Sequence, residues 1–572
     1  MSQYTTADVL IVGGSIAGLA AAITAKEHDP SLNVTVVEKY TSGYAGKANR
    51  GAGVILVLGE STPEEFAQFY LRHIGMYLNN QRALLQYASM LNSNVEILDK
   101  WSGRIVKDEN GKVRTSKWTS GPVARNEDGT LRFAETVEYP WELATVDLDY
   151  VLKIYGYARR KGVKFINRVG MVDLLTDDGR IAGIVGYDID DGTQRVLTAK
   201  SVVLACGNQD WRVSPMWSPA RGEGISAAFR IGARFVNCEF GSFYNWISLE
   251  NFESEMGAEY ALYNDKGENI GLRTVKDVHS DINAESLAEW YKQTVAGNGP
   301  MHHRVRENPL LPSLESMMDA EVMRARPFAT RFWNTLMFNA FSQKTNDEVV
   351  PGLVGEFGGL WVDEDMATTV PGLFAAGDIC VQGSRAWGAV AQPGRHRGSG
   401  IAFGTYSGRV AGPSAATYAA GAQVPIAHDE QITAIDARFN APLNSDGSLK
   451  PLELVAEIQK VMQPVGNSLY RHEQRLRSAL ARIEDLKALL PQLWATDPHH
   501  AFGANEVAAM LLCSEMFFKA SLERRESLGW FLREDCPEPS PDGPHWVIVE
   551  NEEGQVSVSK QRVPLEDYPY QP

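Results

Sequence analysis

Gly13, Gly14 and Gly18 follow an apolar run from Val9 to Val12 and precede small residues at helical spacing. That order reads as strand, turn and helix. Gly13 allows the tight turn, Gly14 keeps backbone bare near a pyrophosphate, and Gly18 lets the helix approach the strand. Ser15 stands where a G-x-G-x-x-G turn usually has its middle glycine, so the context must decide. It does, because Val34 to Val37 is a second β-rich run ending in Glu38, 20 residues after Gly18, where a carboxylate accepts hydrogen bonds from a ribose diol. These residues predict a dinucleotide site. The segment from Tyr40 to Gly59 is glycine-rich and irregular, which suits a flat ring stack better than an ordinary continuation toward a nicotinamide site. Two later stretches, Lys200 to Gly207 and Pro371 to Asp378, each read as a strand ending in small residues and as a further edge of the cofactor site.

The elements that must position these residues fit an ordinary globular chain. The 572 residues carry 55 Lys+Arg against 71 Asp+Glu, a formal charge of −16. That length allows two to four domains and a deep buried site. The acidic balance, with no Lys/Arg-rich run to offset it, argues against nucleic-acid binding. The most apolar stretch, near Val9 to Ile23, is broken by glycines and lacks an upstream basic flank, so neither a membrane span nor a signal peptide is expected. Cys206, Cys238, Cys380, Cys513 and Cys536 are far apart and form no C-x-x-C pair. They predict no metal site and no intrinsic iron–sulfur cluster, but buried small side chains in a reducing cytoplasm. Apolar spacing over Ala479 to Leu490 and Glu506 to Arg524 predicts helices packed into a core.

Taken in this order and spacing, the segments around Gly13, Ala205 and Asp378 resemble the fumarate reductase/succinate dehydrogenase flavoprotein family. Further matches are Asp149 to Leu152, Gly162 to Val169, Arg221 to Ala228, Gly358 to Asp363, Gly408 to Gly412 and the Glu526 to Glu538 signature, in which Leu528 replaces an arginine. The resemblance implies an α/β fold, with a discontinuous Rossmann-like FAD-binding domain, an inserted α+β capping domain and a C-terminal helical domain. The boundaries it suggests are 1–240 and 345–425 for the FAD-binding domain, 241–344 for the cap, 426–535 for the helical domain and 536–572 for a tail. It implies FAD contacts at Gly13, Gly14, Ser15, Ala17, Gly18, Glu38 and Lys39, then at Lys47, Ala48, Asn49, Gly51, Ala52 and Gly53. The remaining contacts are Val169, Ala205, Cys206, Gly207, Glu223, Asp378, Ser399, Gly400 and Ile401. Covalently flavinylated members carry a histidine near the position of Lys47. No histidine lies between Glu38 and Glu60, so the FAD is expected to be noncovalent.

The departures from the family concern the substrate. Tyr244 stands in place of the histidine of E-F-x-Q-F-H-P-T, and Val354 in place of a second histidine before Gly358 and Gly359. No arginine occurs at Ser286 to Ala288, where the family's proton donor should fall, so fumarate reduction is not expected. Arg395 matches the arginine that clamps a substrate carboxylate, with His396 and Arg397 beside it. Trp246, Trp387 and Glu356 are the other expected substrate contacts, Trp387 lying in an enlarged connection after Asp378. Tyr244, His302 and His303 are the candidate acid/base groups; Gly297 to His303 resembles the cap segment of the adenylylsulfate reductase branch, the nearest in pattern. The expectation is a FAD-dependent oxidoreductase, a reductase or dehydrogenase, acting on a small anionic substrate and exchanging electrons with a ferredoxin-like iron–sulfur partner, in an oligomer or alone. The alternatives are an adenylylsulfate-reductase-like sulfur redox flavoprotein, a flavin oxidase and a catalytically decayed flavin-bound subunit.

Overall fold

The strand Gln3–Val12 enters the core as its sequence turns apolar, from exposed Gln3 to fully buried Val9, Leu10 and Ile11. It lies at the centre of a seven-stranded sheet whose order is Lys164–Asn167, Val34–Glu38, Gln3–Val12, Gln194–Leu204, Arg180–Asp188 and Val169–Asp177, with Leu373–Ala375 joined to Gln194–Leu204. The computed structural model describes residues 2–49, 53–147, 149–213, 220–250, 255, 257–275, 283–310, 346–391 and 398–572. Lys164–Asn167, Val34–Glu38, Gln3–Val12, Gln194–Leu204 and Leu373–Ala375 run parallel, whereas Arg180–Asp188 is antiparallel to both of its neighbours. The register places Val12 beside Val37 and Leu204, and Leu204 beside Ala375. All four strand ends therefore reach one edge, the end of a parallel sheet at which α/β folds bind ligands.

Two helices cover this sheet in direct contact. Ile16–His28 follows the first turn, and Ser399–Gly421 packs against it through Gly404, Gly408 and Gly412. A Cβ at Gly408 or Gly412 would collide with the carbonyl of Ala17 or Ala21, so only glycine permits this approach. A second antiparallel sheet, ordered Tyr244–Ser248, Asp347–Leu353, His302–His303 and Leu262–Tyr263, lies in the region read as the cap. One of its strands, Asp347–Leu353, comes from the segment that follows residue 344.

Helices Asp429–Asn440, Pro451–Met462, Glu473–Lys487 and Pro498–Glu523 occupy the C-terminal part. The last is long and apolar enough to cross a membrane, yet 78% of its most apolar window is buried within the fold. The segment after residue 535, expected as a tail, holds a hairpin, His545–Glu552 with Gln555–Arg562, whose first strand pairs with Phe235–Val236. A buried ionic cluster fixes these parts together. Arg524 reaches Glu239 at 2.7 Å and Glu526 at 2.6 Å, and Arg533 reaches Asp535 at 2.7 Å. Arg471 donates to the Glu239 carbonyl at 2.9 Å and packs over the Phe531 ring.

Candidate functional site

The first glycine turn closes on the neighbouring strand. Gly13 has φ 114° and donates to the Val37 carbonyl at 2.8 Å, while Ala205 donates to the Val12 carbonyl at 2.8 Å. A Cβ at Gly13 would strike the Ala205 carbonyl, and one at Gly18 would strike the Gly13 carbonyl. The helix that follows begins at Ile16 with no side-chain cap from Ser15 and no acid in its first turn. Its positive end is thus left for an anion such as a pyrophosphate. Glu38 is 7% exposed and accepts from Gly14 N at 2.7 Å and Tyr40 N at 2.9 Å; burial pushes its carboxyl up. A second helix start lies nearby in the fold: Ser399–Gly421 follows Gly398, which has φ 82° and gives no side-chain cap, and a Cβ at Gly400 would meet nothing within 4 Å. Two uncapped helix starts above glycine-lined strand ends fit a phosphate-bearing cofactor with a polar ring edge.

Lys47 opens a short 3₁₀ turn, Lys47–Asn49, and turns its ammonium into a buried polar cluster. Its Nζ lies 2.9 Å from Glu356 Oε2, 3.0 Å from Asn208 Oδ1 and 3.7 Å from Asp378 Oδ2. Asn208 Nδ2 also donates to Glu356 Oε2. Burial alone would lower the Lys47 ammonium, but the carboxylates of Glu356, Asp378 and Asp210 raise it above its usual range. Burial pushes the Glu356 carboxyl up despite Lys47. Asp210 is fully buried and pushed up to about 7 by burial, against the pull of Lys47 and Arg221, whose Nη1 lies 3.3 Å away. Gln382 anchors this wall, donating to the Glu356 carbonyl at 2.8 Å and the Ala391 carbonyl at 2.6 Å. The cluster can hold protons and exclude water beside the strand ends.

Sequence reading missed Asn208, Asp210, Arg221, Gln382 and Glu506. The polar run Asn208-Gln209-Asp210 directly after Gly207 was the available signal for the first two, since polar residues leaving a buried strand end at a ligand edge need a reason. Glu506 is a carboxylate within an apolar helix, and its Oε1 lies 2.6 Å from Lys39 Nζ. Lys39 also meets Glu223 at 2.6 Å.

Other expected residues have quieter places. Asn49 donates to the carbonyls of Gly43 and Ala45, stapling its own loop. Gly53 and Gly207 take φ 68° and 81°, Val169 is buried beside Asp188, and the Cys206 thiol, pushed up to about 12 by burial, fills the space a Cβ at Gly224 would need. Ala17 and Ser399 are buried; Ala48 and Ile401 are half-buried. Gly51, Ala52, Arg395, His396 and Arg397 lie outside the described residues.

Three further expected residues are engaged by the protein itself. Tyr244 is fully buried and its hydroxyl donates to the Gln463 carbonyl at 3.0 Å, so it ties the cap sheet to the helices instead of offering a proton to a ligand. Trp387 is 3% exposed and packs edge-on against Tyr87, Tyr70 and Phe403. His303 is held on both ring nitrogens, by Glu255 at 2.8 Å and Asn308 at 3.3 Å, and is fully buried. His302 faces the other side of the same two-residue strand and is half-buried, while Trp246 is fully buried.

The parallel sheet edge and the glycine turn with Glu38 are those of a dinucleotide-binding protein of the α/β class. Residues 8–247 match the family model described as FAD binding domain, and residues 455–572 match that described as Fumarate reductase flavoprotein C-term; together they span more than half of the chain. The flavoprotein subunit of 8-methylmenaquinol:fumarate reductase from Wolinella succinogenes is 26% identical, covering 93% of this chain and 86% of its own. Among solved structures, E. coli quinol fumarate reductase FrdA superposes with a TM-score of 0.76 at 18% identity, covering 98% of this chain and 97% of its own. Adenylylsulfate reductase from Archaeoglobus fulgidus gives 0.75 at 20%, covering 98% and 96%. The chain belongs to the fumarate reductase/succinate dehydrogenase flavoprotein family; it is a FAD-dependent oxidoreductase, and FAD is its cofactor.

Proposed function

We propose that this chain is a reductase or dehydrogenase that exchanges a hydride with a small anionic substrate other than fumarate, through a noncovalent FAD, and passes electrons to a separate iron–sulfur protein. The observation that carries the reading is the Glu356 carboxyl, bonded to Lys47 and Asn208 beside Asp378 at the sheet edge. FAD supplies the two-electron chemistry when bound, at the Gly13 turn, the Lys47 loop and the Ser399 helix start.

The protein's own groups have divided work in this reading. Lys47 fixes Glu356, and the buried Asp210 holds a further proton near neutrality, so this cluster is assigned the proton supply that the family draws from its arginine. The Lys47 ammonium is already engaged by Glu356 and Asp378. The anion is therefore assigned to Arg395 and His396, immediately before Gly398 in sequence, with a guanidinium fork suited to a carboxylate or sulfur oxyanion. Residues 241–344 are taken as the cap over the substrate, which excludes water when closed. The partner is supported by the Wolinella relative's being named a flavoprotein subunit and by the lack of C-x-x-C pairs. A cytoplasmic location accords with five free cysteines.

Anaerobic titration of the purified flavoprotein with small anions, including sulfite, sulfonates, enoates and aromatic acids, tests the reading by the visible spectrum. One anion that reduces the oxidised flavin, or reoxidises the reduced one, is the expected result. No response across the panel would replace it with a non-catalytic flavin-bound subunit, and fast reoxidation by air alone with an oxidase.

A further inference from the structure

Lys39 follows Glu38, the carboxylate at the end of the second strand that suits a ribose diol. Its ammonium is clasped between two carboxylates, Glu223 Oε1 and Glu506 Oε1, each at 2.6 Å. Glu223 begins the helix Glu223–Arg230 behind the main sheet, but Glu506 comes from Pro498–Glu523, more than 460 residues along the chain from Lys39. The other oxygen of Glu506 faces Arg221 Nε and Arg212 Nη1, each at 3.6 Å. One buried carboxylate therefore gathers three cations from separate segments, and Arg221 carries the contact on to Asp210 in the Lys47 cluster. Burial would lift the Glu506 carboxyl, yet Lys39, Arg221 and Arg212 hold it below its usual range, so it stays ionised.

The same helix makes a second contact here. Phe502, one turn before Glu506, lies over Gly170, where any Cβ would collide with its ring, and the Lys39 ammonium stands 5.4 Å from the ring centroid. Gly170 follows the strand start at Val169, and the Arg168 backbone N–H donates to the Tyr40 carbonyl at 3.0 Å, so this wall adjoins the Glu38 loop.

We propose that the helix Pro498–Glu523 locks the nucleotide end of the FAD site, with Glu506 as a positioning residue that acts through Lys39 and Glu223. Cofactor affinity then depends on the C-terminal helices, which are remote in sequence from the glycine turn, and the docked helix holds the adenosine half while Arg221 links it to the Lys47 cluster.

The test uses the full-length protein with Glu506→Gln and, as control on the same helix, Glu515→Gln, whose carboxylate pairs with Lys519 and with Lys487 of the preceding helix. FAD release is followed by the fluorescence of free flavin, and the melting of FAD-free protein is measured alongside. Glu506→Gln is expected to raise the FAD dissociation constant by about tenfold or more, as loss of a largely buried charge partner implies, while apo melting stays close to that of the control. A double variant with Lys39→Gln should weaken FAD by less than the two single effects combined, because both changes break the Lys39–Glu506 pair. Should Glu506→Gln fail to fold, Glu506→Asp keeps the charge but withdraws it from Lys39, and is expected to weaken FAD in a folded protein. Unchanged FAD affinity, or a loss that only parallels apo melting and equals that of the control, would overturn the proposal.

Discussion

Asp210→Asn should alter how stability depends on pH, because the folded protein holds a proton on Asp210 that the unfolded chain releases. The carboxyl is fully buried and pushed up to about 7, burial outweighing the pull of Lys47 and Arg221. Unfolded, it titrates near about 4. A carboxyl raised on folding binds its proton more tightly in the folded state, so its contribution is complete below about pH 4, falls as pH rises toward 7, and is lost above that. A rise of about three units corresponds to about 4 kcal/mol over this window. At about 2 cal/mol/K of unfolding entropy per residue, that shifts the melting point of a chain this long by about 3 °C. Asparagine keeps the shape of the neutral acid and cannot ionise. Scanning calorimetry of FAD-free wild type and Asp210→Asn between about pH 4.5 and 8 should show the melting-point difference moving by about 3 °C in favour of the variant. Other carboxylates cancel in that difference. A difference that stays constant across the range would refute the assignment of a buried, protonated Asp210.

Glu356→Gln leaves Lys47 without its carboxylate at 2.9 Å, and should lower turnover by about a hundredfold or more while FAD is retained; unchanged kcat would remove Glu356 from proton handling. Tyr244→Phe loses the hydroxyl's bonds to the carbonyls of Gln463 and Met462 and should cost about 1 kcal/mol in urea melts with turnover unaltered, whereas loss of turnover would make Tyr244 an acid in the reaction. Arg524→Met strands Glu239 and Glu526 in the interior and should cost about 3–5 kcal/mol, read as a lower melting point or insoluble protein; wild-type melting would mean that this cluster does not join the helices to the sheet.

The cofactor was legible where its determinants are local. Gly13, Gly18 and Glu38 are close in the chain, and their roles follow from one strand, one turn and one helix. The same holds for the strand ends before Gly207 and Asp378, whose small residues mark a place that side chains must vacate. What escaped sequence reading depends on distant segments. Nothing near Glu506 says that Lys39 will lie against it, and Asp210 becomes unusual only once the fold buries it, with Gly355 from a distant segment close against its backbone. The packing of Tyr244 and Trp387 was not legible for the related reason that an aromatic residue beside a motif reads alike whether it faces a ligand or a neighbouring helix. The closing hairpin pairs locally, His545–Glu552 with Gln555–Arg562, and only its docking on Phe235–Val236, some 300 residues earlier, depends on a distant segment.

The visible spectrum of protein purified from riboflavin-replete cells, taken before and after acid precipitation, tests the central claim most directly. The account predicts a yellow protein whose flavin passes completely into the supernatant as FAD. Colourless protein, or colour that remains with the precipitated chain, would contradict a FAD held only by the noncovalent contacts of the Gly13 turn, the Lys47 loop and the Ser399 helix start.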